Sequence, residues 1–154
     1  MSEKPTTLVP IAENRRARHN YTIEDTYECG IVLVGAEVKS VKEHRLNFAD
    51  AYALLKNKEI FVIGLRIDPF KQATHEYIDP ERTRKLLLHK KEIVRIERTL
   101  QNKKATLVPL KIYLKNGRVK LLIGVGLGKT NIDKRETIKE RDVKKELARV
   151  LKRG

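Results

Sequence analysis

Hydrophobic and polar positions follow two periods along this chain. Between residues 21 and 34 (YTIEDTYECGIVLV), Tyr21, Ile23, Asp25 and Tyr27 alternate with polar neighbours, and the run turns continuously apolar after Gly30. β-Branched and aromatic residues at that period predict a long strand, with a bend or bulge at Gly30. Residues 51–56 and 59–64 are two short strand-like runs, with Asn57-Lys58 as a hairpin turn between them. Residues 106–115 and 118–125 flank Asn116-Gly117, and both turn residues tolerate positive φ, so a type I′ hairpin is expected. Pro109 lacks an N–H for the ladder, which puts its strand at an edge or bulges it there.

The helical period occurs twice. Val38 and Val41 lie three apart among charges in residues 37–44, and Ile93, Ile96 and Leu100 share one face of residues 89–100. Residues 1–12 have two prolines and no period, and residues 67–80 are read mainly as loop. The sum is a mainly β chain with short helices. An antiparallel β-barrel of the OB type with flanking helices accommodates it. The expected organisation is a tail over 1–12, a barrel domain over 13–127 and a basic tail over 128–154.

That last segment differs from the rest. It holds ten basic and five acidic residues, with only a thin stripe of Ile138, Val143, Leu147, Val150 and Leu151. A segment that is free alone and helical on binding fits, because short isolated helices are marginal in water. An ordinary helix packed on the barrel is the alternative.

Charge narrows the choice of partner. Lys and Arg exceed Asp and Glu by 14 in 154 residues. Such a chain attracts polyanions, either nucleic acid or an anionic membrane surface. The longest apolar stretch, residues 30–36, is far short of the roughly 20 residues of a membrane span. The first residues lack the apolar core of a signal peptide. One cysteine, Cys29, excludes an internal disulfide and suits a reducing cytoplasm, where it reads as a small buried side chain.

Catalytic chemistry finds little support. The four histidines have no metal-like spacing, and CxxC, HExxH and GxSxG are absent. No metal, cofactor or enzymatic role is therefore expected. The run Gly124-Val-Gly126-Leu-Gly128-Lys129-Thr130 imitates a phosphate-binding loop, but Ile123 stands where that loop needs its first glycine.

Six blocks, read in order, resemble the SsrA-binding protein family, SmpB. They are Glu13-Asn-Arg-Arg-Ala-Arg-His19 leading into Tyr21-Thr-Ile-Glu24; Tyr27-Glu28-Cys-Gly30; Gly35-Ala-Glu-Val-Lys-Ser40; Arg45-Leu-Asn47 with Asp50-Ala-Tyr52; Pro80-Glu-Arg-Thr-Arg-Lys-Leu-Leu-Leu88; and Asp133-Lys-Arg-Glu-Thr-Ile-Lys-Glu-Arg-Asp142. The resemblance implies an OB-type barrel that binds the tRNA-like domain of transfer-messenger RNA (tmRNA) and brings it to stalled ribosomes. It implies a C-terminal tail in the empty mRNA path near the small-subunit decoding centre, and an indirect association with elongation factor Tu through alanyl-tmRNA. A cytoplasmic monomer with no membrane partner is expected.

Carried over by motif, Arg15, Arg16, Arg18, Arg45, Lys85 and Lys120 are expected at RNA phosphates, and Arg82 and Arg84 are expected to bind RNA as well. Tyr21 and Tyr52 are expected to stack or pack, Asn47 to read a base edge or ribose, Glu28 to accept hydrogen bonds and Leu87 to give an apolar contact. Lys129, Asp133, Lys134, Arg135, Lys139 and Arg141 are the expected ribosome-binding residues of the tail. The tail departs from the family pattern at Thr130, which loses a charge, and at Ile132, where a stacking side chain is common.

Each role has a plainer alternative. Tyr52 and Leu87 also suit a core, Arg82, Arg84 and Lys85 a solvated charge run, and Glu28 a structural ion pair. At the level of the whole chain the alternative is a structural basic ribosomal protein or a generic RNA binder.

Overall fold

A computed structural model describes residues 6–69 and 78–128. The chain runs β1 (Leu8–Glu13), α1 (Arg15–Asn20), β2 (Tyr21–Ile31), α2 (Gly35–Lys42), β3 (Leu46–Asn47), β4 (Tyr52–Lys56), β5 (Glu59–Ile63), β6 (Arg66–Ile67), β7 (Arg84–Leu87), α3 (Lys90–Asn102), β8 (Ala105–Lys115) and β9 (Arg118–Gly128). All strand pairs are antiparallel.

The main sheet closes on itself. Its order is β8-β4-β5-β7-β2-β9, and β9 pairs back onto β8, so six strands form a ring. This is the barrel expected from the strand pattern. A closed ring leaves no open edge along most of its circumference. β8 is long enough to serve two partners on one side: Leu107 pairs with Ala53 of β4, and residues 111–115 pair with β1. β3 and β6 make a separate two-stranded sheet.

Both hairpin expectations follow from turn chemistry. Asn57 and Lys58 have φ of 51° and 60°, and Asn116 and Gly117 have φ of 51° and 79°. Two positive-φ residues give the type I′ twist that matches the flanking strands. The bulge expected at Pro109 falls between Pro109 and Lys111. The irregularity in β2 lies between Ile23 and Asp25 and not at Gly30. Gly30 instead keeps regular pairing with Lys120 on one side and Leu87 on the other.

Two further differences concern the N-terminal region. Residues 8–12, expected to be tail, belong to β1, whose Leu8, Val9, Pro10 and Ala12 pair along the otherwise open end of β8 while Ile11 is bulged out of the register. A proline every few residues hides such a strand from period counting, and Pro10 sits at the bulge of β1. The arginine run 15–18 is a helix that buries only Ala17.

The core is the inside of the ring. Cys29, Ile60, Val62, Leu86, Ile112, Leu121 and Ile123 fill it, and Val41 of α2 and Ile96 of α3 join it. Removing a side chain such as Leu121 costs about 2–5 kcal/mol, because a closed ring cannot collapse into the void. A second, smaller cluster of Ala17, Val108 and Leu110 lies on the outer face, with Tyr21, Ile23 and Leu122 around it.

Candidate nucleic-acid interface

Strand alternation builds the candidate interface. Cys29, Leu121 and Ile112 are cross-strand neighbours on β2, β9 and β8, and all three point into the core. The adjacent residue on each strand therefore faces out. One outward row is Glu28, Leu122 and Lys111, and the next is Gly30, Lys120 and Tyr113. Arg118 and Lys115 close the hairpin on the same face.

The rows interlock chemically. The Tyr113 hydroxyl donates to Glu28 Oε2 at 2.5 Å, and Lys115 Nζ donates to Glu28 Oε1 at 3.1 Å. Lys111 Nζ lies 5.8 Å from the centroid of the Tyr113 ring, within cation–π range. The hydrogen bond from Tyr113, aided by Lys115 and the field of Lys120, holds the Glu28 carboxyl below its ordinary range against the opposing effect of burial. Burial, then the bond and charge of Glu28, push the Tyr113 phenol up. At neutral pH the face thus presents one fixed carboxylate among Lys111, Lys115, Arg118 and Lys120. Such an arrangement attracts phosphates and still offers an acceptor, since a carboxylate has about four lone-pair sites.

β7 extends this face. Leu87 pairs with Gly30, where an added Cβ would lie 3.3 Å from Leu87 Cβ. The glycine lets Leu87 lean across the strand, yet Leu87 stays 52% exposed. Lys85 shares its orientation and pairs with Glu59 at 3.5 Å. The fold thus brings Glu28, Lys85, Leu87 and Lys120 to one outer surface, and Leu87 is not core.

α1 sits on the same side of the sheet. Ala17 packs over Val108 and Leu110, and Gly124 and Gly126 of β9 make the room. A Cβ at Gly124 would meet Ile23 Cγ2 at 2.8 Å, and one at Gly126 would meet Tyr21 Cβ at 2.9 Å. The glycine-rich run is therefore the floor of the second cluster and not a phosphate loop. Arg15, Arg16 and Arg18 are exposed on this helix. Asn14 fixes its start by donating from Nδ2 to the Pro109 carbonyl at 2.9 Å. Tyr21 is half-buried beneath the helix, and burial raises its phenol.

Other expected residues lie elsewhere. Arg84 is not a surface contact: its side chain is 0% exposed. It donates to Glu37 Oε2 at 2.7 Å and to the carbonyls of Leu65, Pro80 and Arg82. A motif cannot tell an inward arginine from an outward one. Strand alternation does, because Arg84 and Leu86 share the inner side of β7. Arg82 is partly exposed and donates to the same Glu37 and to the Val32 carbonyl. Glu37 is buried, and hydrogen bonds from Arg82, Val34 N–H and Arg84 outweigh burial and lower its pKa.

Tyr52 is half-buried on β4, three strands around the ring from β2. Asn47 is exposed on β3, and nearby Arg45 pairs with Glu43 at 3.3 Å. The tail residues Lys129, Asp133, Lys134, Arg135, Lys139 and Arg141, like Thr130 and Ile132, lie outside the described residues.

Four contributors escaped the motif reading: Lys111, Tyr113, Lys115 and Arg118. The hairpin signal held the means to find them. A two-residue Asn116-Gly117 turn sets Lys115 opposite Arg118 and Tyr113 opposite Lys120, and that register is observed. Among the described residues no cluster of His, Cys, Asp or Glu could hold a metal ion, and no helix is long and apolar enough to cross a membrane.

Comparison with known proteins agrees with this geometry. The model of the SmpB protein family matches residues 11–153. An SsrA-binding protein of Streptococcus thermophilus is 49% identical over 142 residues, 92% of each chain. One of Clostridium acetobutylicum is 45% identical over 152 residues, 99% of this chain and 98% of that one. A chain of the solved structure "tmRNA-SmpB: a journey to the center of the bacterial ribosome" superposes with a TM-score of 0.66 at 42% identity, covering 84% of this chain and 94% of its own. The motif blocks, the closed ring of strands and these matches agree: the chain belongs to the SmpB family.

Proposed function

We propose that this chain binds the tRNA-like domain of tmRNA and delivers it to stalled ribosomes, as a non-enzymatic RNA-binding partner in trans-translation. The carrying observation is the outer face of β2, β9 and β8, where a Tyr113-anchored Glu28 carboxylate stands among Lys111, Lys115 and Lys120. Folded tRNA-like RNA is recognised through phosphates, ribose hydroxyls and splayed loop bases, and this face offers donors for the first and an acceptor for the others. The arginines of α1 flank it and add charge. Leu87 gives an exposed apolar surface on which a base can rest.

Asn47, Arg45 and Tyr52 belong to the proposed interface only if the RNA reaches around the ring. Lys85 is released to RNA by giving up its exposed pair with Glu59, which costs little. Residues 128–154 are proposed as the segment that follows the empty mRNA path toward the decoding centre. Elongation factor Tu then meets the chain indirectly, through alanyl-tmRNA. Partners of this kind support a cytoplasmic protein acting as a monomer on each RNA.

Tagging of truncated products in a reconstituted translation system tests the division of labour. Deleting residues 128–154 is expected to leave binding of the tRNA-like domain intact and to abolish tagging. Full tagging without the tail would overturn the two-part reading.

A further inference from the structure

We propose that Arg82 is a pre-oriented phosphate contact at the rim of the Glu28 face, and that the buried Glu37 is the positioning residue that aims it. The inference rests on the function proposed above and deepens it, since the phosphate belongs to the same tRNA-like domain.

A buried carboxylate stays ionised only with a cation and hydrogen bonds around it. Arg84 supplies both. Its side chain is 0% exposed, it donates to Glu37 Oε2, and its other donors go to the carbonyls of Leu65, Pro80 and Arg82. One guanidinium therefore already balances Glu37. Arg82 brings a second. It donates from Nη2 to Glu37 Oε1 at 2.5 Å, and from Nε to Oε1 and Oε2 at 3.2 and 3.1 Å. Glu37, Arg82 and Arg84 together carry one surplus positive charge. That charge sits at the outer end of the trio, where the Arg82 side chain is 30% exposed.

Arg82 is held at both ends. Its backbone N–H donates to the Asp79 carbonyl at 3.1 Å, and its own carbonyl accepts from Arg84 at 3.1 Å. Its Nη2 also donates to the Val32 carbonyl at 3.1 Å. These side-chain bonds run through Nε and Nη2, so Nη1 is the donor left for an outside acceptor. A guanidinium matches the geometry of a phosphate. One that is fixed before the RNA arrives loses less freedom on binding.

The strand ladder places this donor beside the Glu28 face. Gly30 pairs with Leu87 and Ile31 with Leu86, and the Val32 N–H continues the ladder to the Lys85 carbonyl at 3.0 Å. Val32, two residues beyond the outward Gly30, is 44% exposed. The Arg82 guanidinium rests on the Val32 carbonyl, so it continues the line of Leu87 and Lys85 past the start of β7. An RNA strand lying on Leu87 meets Lys85 next and Arg82 after it. The two cations differ in kind. Lys85 gives up its pair with Glu59 to reach RNA, whereas Arg82 keeps its carboxylate and still offers an N–H.

The test uses the full chain, the isolated tRNA-like domain and a salt series. Arg82→Gln should weaken binding about tenfold. The slope of log K on log salt should fall by about 1, as one phosphate contact is removed. Arg82→Lys keeps the charge but not the fork, and its affinity should lie closer to that of Arg82→Gln than to the parent's. Glu37→Gln should weaken binding of the parent and should not weaken Arg82→Gln further. Circular dichroism checks that each variant folds, and if Glu37→Gln does not, the two variants at position 82 decide alone. The parent supplies a readout that no substitution disturbs: the NMR signal of the Arg82 Nε–H should shift when the domain is added. Parent-like binding by Arg82→Lys, or additive losses from Glu37→Gln and Arg82→Gln, would overturn the positioning role. Parent-like binding by Arg82→Gln, or an unmoved Nε–H signal, would leave Arg82 a structural partner only and overturn the contact. Failure of the unaltered protein to prefer the tRNA-like domain over an ordinary tRNA would count against the proposed function itself, which comparisons among the variants do not touch.

Discussion

The Tyr113 phenol reaches across β9 from β8 to donate to the Glu28 carboxylate on β2. A residue that neither motif nor period marks thereby sets the charge state and direction of the acceptor on the candidate interface. Lys115 holds the second carboxylate oxygen. Glu28 is accordingly both an ion-pair partner and a presented acceptor, and the two readings of it are not exclusive.

Tyr113→Phe isolates that relationship. The ring and its packing remain, and only the donor is lost. A hydrogen bond to a charged group is worth about 1.5–3 kcal/mol. The half-open setting of Glu28 puts the expected stability loss near 1 kcal/mol, read by urea unfolding. Binding of the tRNA-like domain should weaken several-fold. The Glu28 carboxyl should titrate higher in the variant by NMR, since the Tyr113 bond is the largest cause of its depression. Unchanged titration would sever the two residues.

The Glu37 node predicts an acid limit. Its folded pKa is depressed, so its stabilisation is present above the unfolded value of about 4.3 and is lost as pH falls through the lower folded value. Stability to urea should hold from pH 7 to about pH 5 and fall below that. Arg84→Met leaves Glu37 buried with only part of its compensation, an expected loss of about 3 kcal/mol or more. Replacing Glu37 and Arg84 together by methionine should cost less than the sum of the two single changes.

Gly124→Ala tests the second cluster. The new methyl would sit 2.8 Å from Ile23 Cγ2 and 2.9 Å from Leu110 Cδ1. Ile23 Cγ2 sits on a branched carbon and moves only if the stiff χ1 of the side chain turns. Overpacking of this kind costs about 1–3 kcal/mol. The thermal midpoint should drop, and α1 should exchange its amide hydrogens faster than in the parent.

Cys29 is fully buried, and burial pushes its thiol up strongly. Thiolate is the reactive form, so a disulfide reagent at pH 8 should react slowly with native protein and rapidly with unfolded protein. Fast reaction in the native state would contradict the closed core.

Much of the fold was legible because its signals are local. Asn116-Gly117 and Asn57-Lys58 announce their hairpins through turn chemistry, and Ile93, Ile96 and Leu100 announce α3 through period. β1 was not legible, since Pro10 breaks its alternation and its partner lies a hundred residues away on β8. The motif blocks pointed to Glu28, Lys85, Leu87 and Lys120, which share a face. They also pointed to Arg84, which is buried. The difference lies in which side of β7 a residue occupies, and a motif carries no parity. Tyr113 and Lys115 were missed because their roles come from cross-strand register, which becomes visible only when the hairpin is laid out.

The most direct measurement is binding of the purified protein to the tRNA-like domain of tmRNA, beside an ordinary tRNA, at two salt concentrations. Phosphate attraction alone falls steeply with salt and does not distinguish the two RNAs. A large preference for the tmRNA domain is expected, one that survives the higher salt and is lost with Glu28→Ala or Lys120→Ala. Equal, salt-sensitive binding to both RNAs would contradict it and reduce the chain to a general basic RNA binder.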